Sequence, residues 1–184
     1  MRIIAGEARG RTIIAPAGLH TRPTLDRVRE NMFNMLQSDI PGSRILDLFA
    51  GSGALSLEAL SRGAENAVLV DSDRNACAVQ KKNIETLGYS EKTRQYHCDW
   101  RKAINDLKEK QEMFDLVFLD PPYAMHNLCE VFSALKLVSG PESLIVLEHE
   151  SRRDTLVPDD YQLLRQRAWG YCAVSIYGKN NQGE

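Results

Sequence analysis

From residue 44 onward, short apolar runs alternate with stretches of helix-forming length. The runs are RILDLF (44–49), NAVLVD (66–71), RQYHCD (94–99), FDLVFLD (114–120) and SLIVLEHE (143–150). Most are nearly uninterrupted apolar segments, the pattern of strands covered on both faces, and the helical segments between them supply the cover. Across 124–138, Leu128, Val131, Leu135 and Val138 fall at i, i+3, i+7 and i+10 and predict one amphipathic helix. Asp73 is placed to cap another that runs to Leu87, where Gly88 would end it. The pattern predicts an α/β domain built on a doubly wound, mainly parallel sheet.

The two ends depart from this alternation. Residues 1–14 (MRIIAGEARGRTII) read as two short strands around a Gly/Arg turn, and Thr24 can cap a helix with Leu25, Val28, Met32 and Met35 on one face. YQLLRQR (161–167) and CAVSIY (172–177) flank Ala168, Trp169 and Gly170, predicting an antiparallel hairpin that closes the sheet edge. With no repeat, low-complexity tract or linker, 1–184 is expected to be a single domain: a small basic hairpin-and-helix extension over 1–37 and a core over 38–184.

Composition narrows the class. A chain of 184 residues with 43% hydrophobic and 26% charged residues can build one sizeable core, which disfavours disordered and fibrous readings. No apolar run approaches the roughly 20 residues of a membrane span, and the amino terminus is charged within its first turn, so the expected location is the cytosol. Cys77, Cys98, Cys129 and Cys172 form no CxxC pair, and the four histidines are scattered, so reduced thiols and no metal site are expected. The net charge of −2 is unevenly divided: residues 1–31 hold six arginines against three acids, net +3, leaving −5 for the rest. Arg9, Arg11, Arg22, Arg27 and Arg29 are therefore candidate contacts to nucleic-acid phosphates, which a guanidinium fork matches with two hydrogen bonds; an ordinary solvated surface is the competing reading.

In an open α/β sheet, ligands bind beyond the carboxyl ends of the strands. Asp47 lies in the first run, and Asp71, Asp99 and Asp120 end the next three. One strand-end aspartate is usually a turn former or cap; four in succession point to a ligand site. Gly51-Ser52-Gly53 follows the first strand and opens a helix, where backbone can approach a ligand closely. Ser56 stands where a dinucleotide fingerprint wants its third glycine, which disfavours a dehydrogenase. Asp71, eighteen residues beyond Gly53, is placed to accept ribose hydroxyls, so the ligand is expected to contain a nucleoside. The sharpest feature is Asp120-Pro121-Pro122-Tyr123. Neither proline has an N–H, and the residue before proline is pushed to extended geometry, so this loop offers acceptors without competing donors. An amino group can give one hydrogen to the Asp120 carboxylate and another to the Pro121 carbonyl, while Tyr123 offers a face for stacking.

With D-L-F-A-G-S-G at 47–53 and D-P-P-Y at 120–123, the chain resembles the class I S-adenosylmethionine-dependent methyltransferases that act on amino groups. More narrowly, RIIAGEARGR (2–11), TRPTLDRVRENMFNML (21–36), DLFAGSGALSLEALSRGA (47–64) and FDLVFLDPPY (114–123) are similar to the bacterial 16S ribosomal RNA guanine-N2 methyltransferase family. Near the end, Gly170-Tyr171-Cys172 stands where that family's pattern leads one to expect Gly-Asp-Thr.

The resemblance implies a Rossmann-like methyltransferase fold and S-adenosylmethionine as cofactor. Asp47, Phe49, Ala50, Gly51, Ser52 and Gly53 would line its methionine and ribose end, Asp71 with Ser72 would hold the ribose hydroxyls, and Asp99 with Trp100 would border the adenine. Asp120, Pro121, Pro122 and Tyr123 would present a guanine amine in small-subunit ribosomal RNA, the partner being an assembling small ribosomal subunit and the enzyme a monomer. Arg22 or Arg27 can alternatively face the cofactor carboxylate, and Glu148-His149-Glu150 is expected to be structural. The rival readings are an amino methyltransferase acting on DNA or on a protein glutamine, and a non-catalytic RNA-binding module.

Overall fold

The computed structural model describes residues 1–15, 23–122, 125, 127–152 and 157–180, and for residues 23–26 the backbone alone. After an amino-terminal arm come α1 (Pro23–Met35), β1 (Arg44–Asp47), α2 (Ala54–Ser61), β2 (Asn66–Asp71), α3 (Arg74–Leu87), β3 (Thr93–His97), α4 (Trp100–Glu109), β4 (Phe114–Leu119), α5 (Leu128–Leu135), β5 (Ser139–Glu150), β6 (Tyr161–Trp169) and β7 (Cys172–Lys179). The strands form one sheet in the order β3-β2-β1-β4-β5-β7-β6. Strands β1 to β5 are parallel, and the final hairpin is antiparallel, with β7 inserted between β5 and the edge strand β6. This is the doubly wound α/β sheet with an antiparallel closing strand. The order reverses direction between β1 and β4, so their carboxyl ends part and leave a crevice.

The apolar strands bury both faces. On one side Ile45, Leu69, Leu116, Phe118 and Val146 pack with Val28, Met32 and Phe33 of α1 and Leu36 just past it, Leu57 and Leu60 of α2, and Ile84 and Leu87 of α3. On the other, Leu46, Val68, Val117, Ile145 and Leu147 pack with Ile104 and Leu107 of α4 and with Leu128, Val131, Phe132 and Leu135 of α5. No helix among the described residues is long and apolar enough to cross a membrane.

Helix α3 follows the expectation: Asp73 accepts from the Asn75 and Ala76 amides, and Gly88 ends the helix at φ +80°. Helix α5 is shorter than its pattern. Val138 is buried but lies past the last turn, where its amide bonds back to Leu135 O at 3.1 Å and turns the chain into β5. Helix α1 starts at Pro23, one residue before Thr24; proline is suited to a first helical position because its missing N–H would have no intrahelical acceptor there.

The arm keeps the expected antiparallel pairing around a turn but forms no regular strand, with Arg2 and Thr12 as an isolated bridge pair. Around it the two halves of the arm pair across the turn, Ile3 N–H to Arg11 O (3.0 Å), Gly10 N–H to Ile3 O (2.9 Å) and Ile13 N–H to Met1 O (3.0 Å), while other donors go to the helices: Ile4 and Ala5 N–H to Glu58 (2.7 and 3.0 Å), Glu7 N–H to Ser61 O (2.8 Å), Ala8 N–H to Ser61 Oγ (3.0 Å) and Ile14 N–H to Asn83 Oδ1 (2.7 Å). Groups of α2 and α3 thus satisfy donors that the pairing within the arm leaves over, and Ile3 and Ile13 enter the same core as α1 and α2.

Candidate active site

The carboxyl ends of β1, β2, β4 and β5 open on a cavity of about 640 Å³. Asp47, Phe49, Ala50, Gly51 and Ser52 line it from β1 and its loop, Asp71 and Ser72 from β2, Asp99 and Trp100 from the start of α4, and Asp120, Pro121 and Pro122 from the turn after β4. Tyr123 and Arg22 lie outside the described residues.

The loop after β1 is pinned from several directions. Gly51 (φ +53°) donates its N–H to Asp71 Oδ2 at 2.8 Å, Gly53 N–H closes a turn onto Ala50 O at 2.7 Å, and Gln80 and Asn83 of α3 donate to Gly51 O and Ser52 O. Gly53 departs from expectation. It does not line the cavity; at φ +79° it starts α2, and a Cβ there would meet Leu69 Cδ2 at 2.9 Å. Its glycine requirement is packing and backbone conformation rather than ligand approach. Asp71 accepts from Gly51 and from Asp73 N–H (2.9 Å), so turn formation and cavity lining coexist in one carboxylate. Asp99 lies beyond β3 and caps α4 through Arg101 N–H at 2.9 Å.

Asp47 is 1% exposed. Ser56 Oγ donates to its Oδ2 at 2.9 Å, while Oδ1 is buried with no hydrogen-bond partner. Burial, opposed by the Ser56 bond and aided by the negative Asp71, raises its pKa to about 7. An orphaned acceptor on a cavity wall is the structural demand for a donor from a ligand, and an ammonium meets it best.

Asp120 is open to the cavity but otherwise enclosed by protein. Desolvation, then the negative charges of Glu148 and Asp47, push its pKa well above the usual carboxylate range. Water in the cavity damps that shift, which develops fully when ligands displace the water.

The Asp47 shift gives a pH prediction. Below about pH 4 the folded and unfolded chains both hold the proton; between about 4 and 7 only the folded chain holds it, so stability falls as pH rises, and above 7 the loss is complete. The slope from Asp47 amounts to about 4 kcal/mol over that window. Urea denaturation from pH 4 to 8 is expected to show it, with Asp47→Asn lacking that part of the decline; identical slopes would place the ionisation elsewhere.

The arginine block separates by position. Arg9 and Arg27 are exposed. Arg11 is exposed but donates to Leu87 O (3.1 Å) and Thr86 O, closing the carboxyl end of α3. Arg29 overturns the expectation of a phosphate contact: it is 6% exposed, bonds to Arg2 O and lines the cavity. Glu148 also lines the cavity, where the sequence reading expected only a structural role. Its signal was its place at the end of an apolar run, like the four aspartates.

Comparison with known proteins agrees with this geometry. The model of the family described as conserved hypothetical protein 95 matches residues 1–178. The ribosomal RNA small subunit methyltransferase D of Escherichia coli K12 is 38% identical over 187 residues, covering 100% of this chain and 92% of the relative. A solved Escherichia coli protein provisionally described as a methyltransferase superposes with a TM-score of 0.86 at 37% identity, covering 99% of each chain. A second such structure, complexed with S-adenosylhomocysteine, has a TM-score of 0.68 at 16% identity over 83% of this chain and 48% of its own, and shows the fold alone. With its family model matched over nearly all of its length and its cavity built from the motifs that carried the resemblance, the chain belongs to the conserved hypothetical protein 95 family, alongside the small-subunit ribosomal RNA methyltransferases D.

Proposed function

We propose that this protein is an S-adenosylmethionine-dependent methyltransferase that modifies the N2 amine of a guanine in small-subunit ribosomal RNA, working in the cytoplasm on an assembling subunit. The observation that carries the reading is the placement of Asp120-Pro121-Pro122 on the same cavity as Asp47 and Asp71. The 38% identity to small subunit methyltransferase D supports ribosomal RNA over the other amino-bearing substrates.

The residues present fit S-adenosylmethionine. Asp47 Oδ1 needs a donor that the amino-acid ammonium provides, Asp71 stands where ribose hydroxyls can donate, and Trp100 with Asp99 borders the space left for adenine. When bound, the cofactor supplies an electrophilic methyl group on a sulfonium. The protein's task is then to position a poor nucleophile, because the N2 lone pair of guanine is delocalised into the ring. Asp120 and the Pro121 carbonyl accept the two amine hydrogens, which localises the lone pair and aims it across the cavity, an effect of orientation and electrostatics. Tyr123 is proposed to stack on the extracted base, partly offsetting the few kcal/mol that extraction costs. Arg9 and Arg27, with the exposed charge of Arg11, are proposed to meet RNA phosphates.

The test offers labelled S-adenosylmethionine to unmodified small subunits, naked small-subunit RNA, duplex DNA and protein. Label is expected in RNA at least about 100-fold above DNA and protein. Label in DNA or on glutamine side chains would overturn the substrate reading while leaving the cofactor site standing.

A further inference from the structure

Strands β4 and β5 run parallel with Phe118 beside Val146 and Leu119 beside Leu147. Continued by one residue, that register sets Asp120 beside Glu148, and both line the cavity. From β7, which pairs antiparallel with β5, Cys172 donates its Sγ–H to Glu148 Oε1 at 3.2 Å. Asp47 from β1, Asp71 from β2, Asp99 from the start of α4, and Arg29 from α1 face the same cavity. Among the described residues neither Asp120 nor Glu148 forms an ion pair. His149, the next residue along β5, is engaged with Ser175 Oγ and Glu150 O.

Two neighbouring carboxyl groups partly withdrawn from water resist ionising together, because the first negative charge opposes the second. We propose that Glu148 is a positioning residue of the methyl transfer, sharing one proton with Asp120 and holding it while Asp120 accepts from the substrate amine. The role in transfer rests on the function proposed above; the sharing itself does not.

Burial raises both groups, with the Glu148 charge adding to the rise at Asp120 and the Cys172 thiol bond opposing it at Glu148. Amine hydrogens directed at Asp120 favour its ionised form, so the shared proton is held by Glu148 while the amine is bound. In the transfer, the N2 lone pair forms the N–CH3 bond, the S–CH3 bond breaks with its electrons staying on sulfur, and N2 gives one proton to Asp120. The positive charge of the donor and the negative charge of the pair disappear together. The pair then holds two protons and returns one to water as the product leaves.

The test has a readout that needs neither RNA nor cofactor. With side-chain carboxyls labelled with ¹³C, Asp120 and Glu148 of the free protein are expected to titrate in the same two steps, separated by more than about 1 pH unit. In Glu148→Gln, Asp120 is expected to titrate in one step. Two unrelated single steps in the wild type would overturn the sharing. In turnover, Glu148→Ala is expected to lower kcat about 100-fold with KM for RNA and Kd for cofactor within about 2-fold. Glu148→Gln is expected to recover kcat to within about 5-fold, because its amide offers Asp120 the hydrogen that the shared proton supplies. Full activity in the Ala variant, or a Gln variant no better than Ala, would overturn the positioning role. If the Ala variant does not fold, the titrations of the wild type and the Gln variant still decide the sharing, and kcat of the Gln variant decides the role, a loss of 100-fold contradicting it. Label appearing in DNA or protein would defeat the substrate reading without changing either titration.

Discussion

Replacing Asp120 with alanine is expected to lower kcat by at least about 1,000-fold, roughly 4 kcal/mol of transition-state stabilisation, with cofactor affinity unchanged within about 2-fold. The separation follows from the layout. Asp47 and Asp71, which are assigned to the cofactor, are anchored by hydrogen bonds from Ser56, Gly51 and Asp73, all of them outside the β4 turn. Asp120 instead sits with Glu148 and Asp47 pushing its ionised form upward in energy. Removing it relieves that repulsion, so the variant is expected to be as stable as the wild type or more so once pH rises above the ordinary carboxylate range. A catalytic loss caused by unfolding would show the reverse. Asparagine keeps an acceptor of the same shape without the charge, and its activity is expected to fall between the two. Single-turnover transfer rates, with cofactor binding by calorimetry, check this; an alanine variant within 10-fold of wild type would remove Asp120 from the chemistry.

Gly6→Ala is expected to cost about 3–5 kcal/mol of folding stability, a large share of the 5–15 kcal/mol that holds a domain of this kind together. Gly6 adopts φ +81°, and a Cβ there would lie 1.7 Å from Ser61 O and 2.2 Å from its carbonyl carbon. Both are backbone atoms of α2, so no rotamer change makes room, and the arm has to lift. Lifting breaks the bonds from Ile4 and Ala5 to Glu58 and from Glu7 and Ala8 to Ser61, and strips cover from Glu58, which is 0% exposed. The effect reaches the site, because Met1 lines the cavity and Arg29 bonds to Arg2 O. Weaker cofactor binding is expected alongside the lower stability. Gly10 is the internal control: it has the same φ of +81°, yet nothing lies within 4 Å of its Cβ position. Gly10→Ala is therefore expected to cost about 1 kcal/mol from strain alone. Equal urea midpoints for the two variants would contradict the steric account.

The sheet was legible in the sequence because parallel strands leave little ambiguity: runs such as NAVLVD and FDLVFLD are apolar on both faces and too short to be helices. The capped ends of α3 were legible because Asp73 and Gly88 act locally. The turn of the amino-terminal arm was legible too, but its docking was not, since the partners there are Glu58, Ser61 and Asn83, each more than 50 residues away, and nothing near residues 1–14 announces them. Arg29 was misread because charge was weighed without periodicity. It falls at i−4 and i−7 from the buried Phe33 of α1 and the buried Leu36 just past it, a pattern present in the sequence that directs its guanidinium inward. Glu148 shows the same lesson from the strand side. An acid near the end of a buried strand at the ligand end of an α/β sheet has the same position as Asp71 and Asp120, and the absence of an accompanying nucleophile or metal-ligand spacing does not make it structural.

The β4 turn is proposed to present an exocyclic guanine amine to the methyl donor. Nucleoside analysis of small-subunit RNA after transfer of labelled methyl by the wild-type enzyme puts this to the test. A single labelled product, N2-methylguanosine, is expected, lost with Asp120→Ala. Label on a ring nitrogen of guanine or on a ribose hydroxyl, neither of which can donate two hydrogens to Asp120 and the Pro121 carbonyl, would contradict it.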